Sequence, residues 1–549
     1  MTTATIPNNN SGSPRFANLT RRLLLATVWI SLFTISACLF YVGLRVRHWA
    51  WSETDNMHFQ GDVTHAYQWG TDPDHIGIFN RYRQIRTDYG DRPPTDFGLD
   101  YAPLRLTIVT LWAHWVNRHF VAEDQWDPTT SYSFHRPLLI TNAACEFAAA
   151  IGVVLVLHLM RRIAGSNTEA QSGFARMASE YASLAIAALL VWFNPALILN
   201  DCWPQWDAWI LPFYIFALYF CMRGGWFMAG MLLGIGAMLK GQILFVAPAF
   251  LLWPLFSAQW LFLARIIAGF AVAFTLIAAP WTMTTRSDWA LAFGGVILSI
   301  FILIYRKGWS YSHVRLLSAA ALVAPIWIST EILHGDLSWL VLPYEYGAVK
   351  HPEIGTIGTS NLPTLLHQQW GWEAEGPNGT INLPLPFGHN LEMTLRLLLV
   401  ILYAICLTAS GVAAAIQWRR RDDRFLLSMY TPWVLFFALL PYLNNRYLIW
   451  AACFFPLLIP LGLGMTLLGG LLSFACCAML VEIMCRFNYD SDPSLGNISH
   501  GMYPGLAYLV LLIATIFLYN ALNISRKPEP SRQDGVATNG FGCGDWLKK

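Results

Sequence analysis

Hydrophobic positions along this chain come in long unbroken runs rather than in stripes. Segments such as "RLLLATVWISLFTISACLFYVGL" and "YPGLAYLVLLIATIFLYNAL" are apolar on every helical face. Each is about 20 residues long, the length at which an α-helix crosses a bilayer. Such runs begin near residues 22, 138, 181, 208, 226, 243, 260, 290, 316, 392, 425, 447, 466 and 503. The pattern predicts an all-α integral membrane protein with roughly 12 to 14 spans. The first run is too long, and too poor in small residues at its end, for a cleaved signal peptide, so it is expected to remain as a span.

The polar stretches between the runs give the expected sidedness. Arg21, Arg22, Arg161, Arg162, Arg176, Arg306, Lys307, Arg315, the run "QWRRRDDR", Arg526 and Lys527 fall in one alternating set of connections. Lys and Arg concentrate on the cytoplasmic side of membrane proteins, which puts both ends of the chain there. The opposite set holds two large loops, 46–136 and 335–390, and three short turns, "DCWPQWDA", "TTRSDW" and "PYLNNRY". The expected organisation is a polar N-terminal tail (1–20), a transmembrane module with the first loop (21–334), the second loop (335–390), a second transmembrane module (391–525) and a polar tail (526–549). Both tails have the composition of disordered segments. Within the first loop, "YAPLRLTIVTLWAHWVNRHF" carries Arg105, His114, Arg118 and His119 and is expected as an interfacial or re-entrant helix.

Composition sharpens the class. Only 12% of residues are charged and 55% are hydrophobic, where a soluble domain has roughly 25% charged. The net charge of +2 shows no nucleic-acid footprint. The ten cysteines are scattered through apolar runs without a CxxC, as small buried hydrophobes rather than metal ligands or a disulfide framework. The acids of "TDPDH", Asp72 and Asp74, read as a surface turn rather than a metal site. No metal or other cofactor is expected.

Chemistry collects on the outer face. Asp62, Asp100, Asp201, Asp207 and Arg446 all lie at that end of different spans, where an ionisable group either stays in bulk water or lines a functional cavity. Asp100 and Tyr101 stand just before Pro103, so Asp100 either faces a pocket or caps the next helix. "NDCWPQWDA" gathers Asn, Asp, Gln and Trp in one turn; Trp203, Gln205 and Asp207 suit hydroxyl groups and sugar rings, while the tryptophans alone also suit an aromatic belt. Lys240 in "AMLKGQ" is a cation against the positive-inside trend, which either snorkels to the interface or meets an anion such as a lipid phosphate. Arg446 repeats the anomaly with a planar fork suited to phosphate oxygens. In the second loop, Lys350, His351, Asn361 and His367 are polar candidates of the kind any long loop carries.

The blocks "GD" (Gly61, Asp62), "GLDYAPL" (98–104), "NPALILNDCWPQWDA" (194–208), "LKGQ" (239–242) and "NRYL" (445–448), in this order, resemble the integral-membrane GT-C glycosyltransferases that use polyprenyl-phosphate sugars. The first two are similar to the "GDYEAQRHW" and "LDYPPL" motifs of the dolichyl-phosphate-glucose glucosyltransferases. "WPQWDA" is similar to the "WGQWDA" turn of bacterial and mannosyl members, and "NNRYL" to their "MHERYL". The resemblance covers most of the chain. It departs after Asp62, at Ala102 and at "LNN" before Arg446.

The resemblance implies a GT-C-type bundle and an inverting hexosyl transfer on the extracytoplasmic side. Its partners would be a polyprenyl-phosphate sugar donor, a glycan or lipid-linked acceptor, and the bilayer itself. Asp62 would be the general base, Arg446 and Lys240 would bind the donor phosphate, and Asp100, Tyr101, Trp203, Gln205 and Asp207 would hold sugar or acceptor. "WPQWDA" favours a bacterial cytoplasmic membrane over an ER membrane. Alternatives are a transporter or flippase for a lipid-linked or polar solute, and an oligosaccharide polymerase or ligase. Asymmetric loops and the lack of paired broken helices weigh against the first. The dominance of acids over arginines in the loops weighs against the second.

Overall fold

The computed structural model describes residues 14–54, 61–71, 101–120, 132–164, 173–203, 205–283, 285–329, 359–373, 379–384, 390–487 and 493–523, with a few isolated positions between them. Helix α1 (Pro14–Glu53) leads to α2 (Gly61–Thr71), α3 (Pro103–Phe120), α4 (Tyr132–Ala164), α5 (Gly173–Trp192) and α6 (Pro195–Cys202). A 3-10 turn (Asp207–Ile210) opens α7 (Leu211–Met222), followed by α8 (Trp226–Leu239), α9 (Ile243–Val246), α10 (Pro248–Phe256), α11 (Trp260–Thr282), α12 (Arg286–Ile304) and α13 (Tyr311–Ser329). Then come α14 (Leu362–Trp370), strands β1 (Thr380–Pro384) and β2 (Asn390–Thr394), α15 (Leu395–Arg420) and α16 (Arg424–Leu439). A second 3-10 turn (Asn445–Leu448), α17 (Ile449–Phe454) and a third (Phe455–Leu461) precede α18 (Leu463–Phe487) and α19 (Pro493–Leu522).

This is an all-α integral membrane protein. Among the described residues nine helices are long and apolar enough to span a bilayer, and five shorter apolar segments lie between them: 207–222, 226–239, 243–256, 424–439 and 445–461. Each of the fourteen coincides with an apolar run of the sequence. The shorter segments are the more deeply buried, as in α16, where every residue from Phe425 to Leu439 is shielded. A buried helix needs no lipid-length surface, because neighbouring helices supply its apolar surroundings.

Short turns join most successive segments, so they run alternately up and down. Among the described residues, Arg161, Arg162, Arg223, Arg306, Lys307, Arg419 and Arg420 lie at or next to the ends of segments that alternate with those leading to Lys240 and Asp207, the arrangement that the positive-inside tendency expects with these basic ends cytoplasmic. The other face is called the outer end below. Helix α3 is not among the fourteen segments. It is half-buried and packs on α2, α8 and α11.

Three boundaries differ from the sequence reading. Helix α1 begins at Pro14, so residues 14–20 are helical rather than part of a tail, and residues 1–13 and 524–549 lie outside the described ones. The same helix continues through Arg47 to Glu53, and α4 begins at Tyr132, which shortens the first loop from 46–136 to 54–131. The helix continues past position 45 where Arg47 has ionic partners in the bundle, described below. The second loop runs from the end of α13 at Ser329 to Leu395 and contains α14 and an antiparallel hairpin pairing Thr380 with Thr394. The alternation of Ile381 and Leu383 with polar neighbours is the strand signal there.

One crossing shows how closely the backbones approach. A Cβ on Gly230 of α8 would collide with the carbonyl oxygen of Ile266 in α11, and one on Gly269 of α11 would collide with the carbonyl oxygen of Phe227. Gly230 and Gly234 form a small-xxx-small pair, which lets two membrane helices touch along their main chains. This contact sets the crossing of α8 on α11 in the half of α8 that begins at Trp226, with Gly230 ten residues before Lys240.

Candidate ionic site at the outer end

The site is assembled from three chain breaks. In the first, Asn194 caps α6, its side chain accepting from the Ala196 N–H, with Pro195 in the first turn. Helix α6 is therefore short, and after a reversal the chain re-enters helix at Asp207, whose side chain is fully buried. In the second, α8 ends at Lys240, which adopts an extended backbone and is only 5% exposed. In the third, Asn444 caps the 3-10 turn, its side chain accepting from the Arg446 N–H at 3.3 Å. Asn445 anchors that turn by donating to the Met479 carbonyl at 3.1 Å.

These breaks meet on one carboxylate. Lys240 Nζ donates to Asp207 Oδ1, and Arg446 Nε lies 3.3 Å from Asp207 Oδ2. The Trp450 indole N–H donates to the Asp207 backbone carbonyl at 2.8 Å. Tyr447 and Trp450 stack with ring centroids 5.2 Å apart, and Lys240 Nζ faces both rings at 4.9 and 5.6 Å. Gln242 Nε2 donates to the Tyr447 hydroxyl at 3.4 Å. Arg446 is the most exposed of the three charged groups, its side chain 14% accessible against 5% for Lys240 and none for Asp207. A buried carboxylate holding two cations is a preorganised electrostatic arrangement, because little of it has to move to meet a further group.

A second set of contacts links the first loop to this turn. The indole N–H of Trp206, next to Asp207, donates to the Tyr101 hydroxyl at 2.9 Å. Trp69 of α2 meets the Tyr101 ring edge-on at 4.7 Å, Arg105 lies over its face at 3.7 Å, and the Tyr82 hydroxyl donates to its carbonyl. Tyr101 thus joins α2, α3 and the Asp207 turn. The backbone of Asp62 belongs to the first turn of α2, while its side chain, like Asp72, Asp74, Asp100, Lys350 and His351, lies outside the described residues.

The remaining candidates separate. Trp203 is buried against Cys202, Ile483 and Met484, a packing position between α6 and α18. Gln205 is fully buried, and its backbone carbonyl accepts from Asn142 at 2.6 Å. Asp201 belongs to a different cluster with Arg47 and Glu146. Arg47 Nε donates to Glu146 Oε2 at 3.0 Å and to Asp201 Oδ2 at 2.9 Å, and Asn142 donates to Asp201 Oδ1 at 2.9 Å. The Arg47 guanidinium also covers the Trp192 ring at 4.0 Å. The anion that Lys240 meets within the chain is the Asp207 carboxylate.

Sequence reasoning passed over Arg47, Glu146, Trp206, Tyr447 and Trp450. Glu146 carried a readable signal, as the sole acid in the apolar run from Tyr132 to Ile163, where an ionisable residue marks a partner or a function. Trp450, one helical turn beyond Arg446, carried a weaker one. Among the described residues no group of three or more His, Cys, Asp or Glu side chains has the arrangement of a metal site. Comparison with known proteins gives no matching protein-family model and no matching curated protein.

Proposed function

We propose that the chain is a membrane hexosyltransferase of the GT-C type, moving a sugar from a polyprenyl-phosphate donor to an acceptor hydroxyl at the outer face of a membrane, with a bacterial cytoplasmic membrane favoured. The observation that carries the reading is the convergence of "WPQWDA", "LKGQ" and "NRYL" on the Asp207 carboxylate, linked through Trp206 and Tyr101 to the helix that contains Asp62. Three of the five blocks that carry the resemblance thereby become one ionic cluster, and a fourth adjoins it through Tyr101.

In the proposed step the acceptor oxygen bonds to the anomeric carbon as the bond to the phosphate oxygen breaks. The acceptor proton passes to the Asp62 carboxylate, and polyprenyl phosphate leaves with the electron pair. General-base assistance of this kind contributes typically about 10²–10⁴-fold. Arg446, the most exposed cation of the cluster, would meet the leaving phosphate, and Lys240 with Asp207 would hold it in place. Fixed cations lower the barrier where charge develops, and the proposed step uses no metal ion.

The test is sugar transfer by the purified protein in lipid nanodiscs, supplied with polyprenyl-phosphate hexoses. Asp62→Asn is expected to lose transfer by about 10²-fold or more with donor affinity retained. Arg446→Ala is expected to weaken donor binding about tenfold, or about 1.4 kcal/mol. Turnover of Asp62→Asn at the wild-type rate removes the base, and equal donor affinity in Arg446→Ala removes the phosphate contact.

A further inference from the structure

Helix α14 in the second outer loop presents a group of side chains that the ionic site does not use. Its apolar face, with Leu365 and Leu366 buried, packs toward Leu395 and Leu399 of α15. Asn361 caps its start and also donates to the Phe437 and Leu440 carbonyls at 3.2 and 3.3 Å, which fastens the helix to α16. Gly371, at φ +64°, ends it in a left-handed turn, with Gly371 N–H on the His367 carbonyl and Trp372 N–H on the Leu366 carbonyl. That turn leaves Trp370 and Trp372 59% and 40% exposed, their rings 6.1 Å apart.

The polar neighbours have fixed roles. Gln369 Oε1 accepts from the Tyr508 hydroxyl at 2.9 Å, so its amide N–H groups are the part left to donate. His367 Nδ1 donates to the Trp372 carbonyl at 3.1 Å, which leaves Nε2 as the ring's other hydrogen-bonding atom. Two exposed indoles thus share this helix end with an amide donor and an imidazole nitrogen. A hexose offers the complementary set: an apolar C–H face for an indole and hydroxyls that both donate and accept.

We infer that Trp370, Trp372, Gln369 and His367 form a docking platform for a neutral hexose oligosaccharide, which would be the acceptor glycan of the proposed transfer. The assignment rests on the glycosyltransferase reading only for the glycan's role as acceptor. A lipid-interface belt would use the indoles alone and would give the amide and imidazole no part.

The experiment is saturation-transfer NMR on the full chain in nanodiscs, with maltotetraose and mannotetraose as probes and no donor present. Sugar ring protons of one probe should receive saturation from the wild type. Affinity should fall about tenfold in Trp370→Ala/Trp372→Ala, several-fold in Gln369→Ala, and less in Trp370→Phe, which keeps a ring. Absence of saturation transfer with the wild type, or equal transfer with the double variant, overturns the platform. So does the belt result, in which 5-fluorotryptophan resonances assigned through Trp370→Phe and Trp372→Phe broaden with headgroup-spin-labelled lipid and ignore sugar. Transfer activity without oligosaccharide contact would sink the platform alone. Oligosaccharide contact with no use of any polyprenyl-phosphate hexose would sink the transferase reading alone.

Discussion

Asp207 and Lys240 are both almost completely withdrawn from solvent, so each depends on the other. Breaking a buried pair by removing one member costs more than removing both, because the charge left behind keeps its desolvation penalty. Asp207→Ala is therefore expected to destabilise the protein by about 3–5 kcal/mol, and Asp207→Ala/Lys240→Met to recover most of that loss. Denaturant unfolding in mixed micelles checks both. If the double variant is as unstable as the single one, the pair is not the source of the cost. Legibility at this scale was uneven. Asp207, Lys240 and Arg446 stood out in the sequence as charges at span ends, but their mutual pairing did not, because it joins positions 33 and 239 residues apart through the packing of intervening helices. Gln205 and Trp203 stood out by their residue types in one turn, but their depth did not: the first is fully buried and the second packs between helices.

Elements were the most legible level, since hydrocarbon length dictates the apolar runs and fourteen described segments coincide with them. Ends were less so. Helix α1 outlasts its apolar run because Arg47 finds Glu146 and Asp201, partners 99 and 154 residues away that no local window contains. The Gly-rich run "GMLLGIGAML" read as an uncertain span, while in the bundle its first two glycines are the contact with α11. A side chain there has no room to turn aside, as the atoms it meets are main-chain carbonyls. Gly230→Leu is expected to force α8 and α11 apart at a cost of about 1–3 kcal/mol. Denaturant titration of Gly230→Leu, with Gly294→Leu as the control at an open position, measures the difference. Equal stability of the two variants would contradict the close crossing.

At the scale of the whole molecule, the alternation of the described apolar segments is expected to set basic helix ends on one face and the ionic site on the other. A cysteine at Glu373 should react with an impermeant thiol reagent on intact cells, and a cysteine at Arg421 only after permeabilisation, both above the background of the unaltered chain. The reverse pattern would put the site on the cytoplasmic side and remove the sidedness on which the proposed donor depends. The Trp450 indole holds the Asp207 main chain across 243 positions. During synthesis, then, the acid and its lysine can find each other early, but their arginine and their aromatic roof emerge only after many more helices have been inserted. A nascent chain halted before that point would carry a half-built charge centre, shielding two ions that later partners are meant to surround, and quality-control proteases would have a physical reason to prefer it.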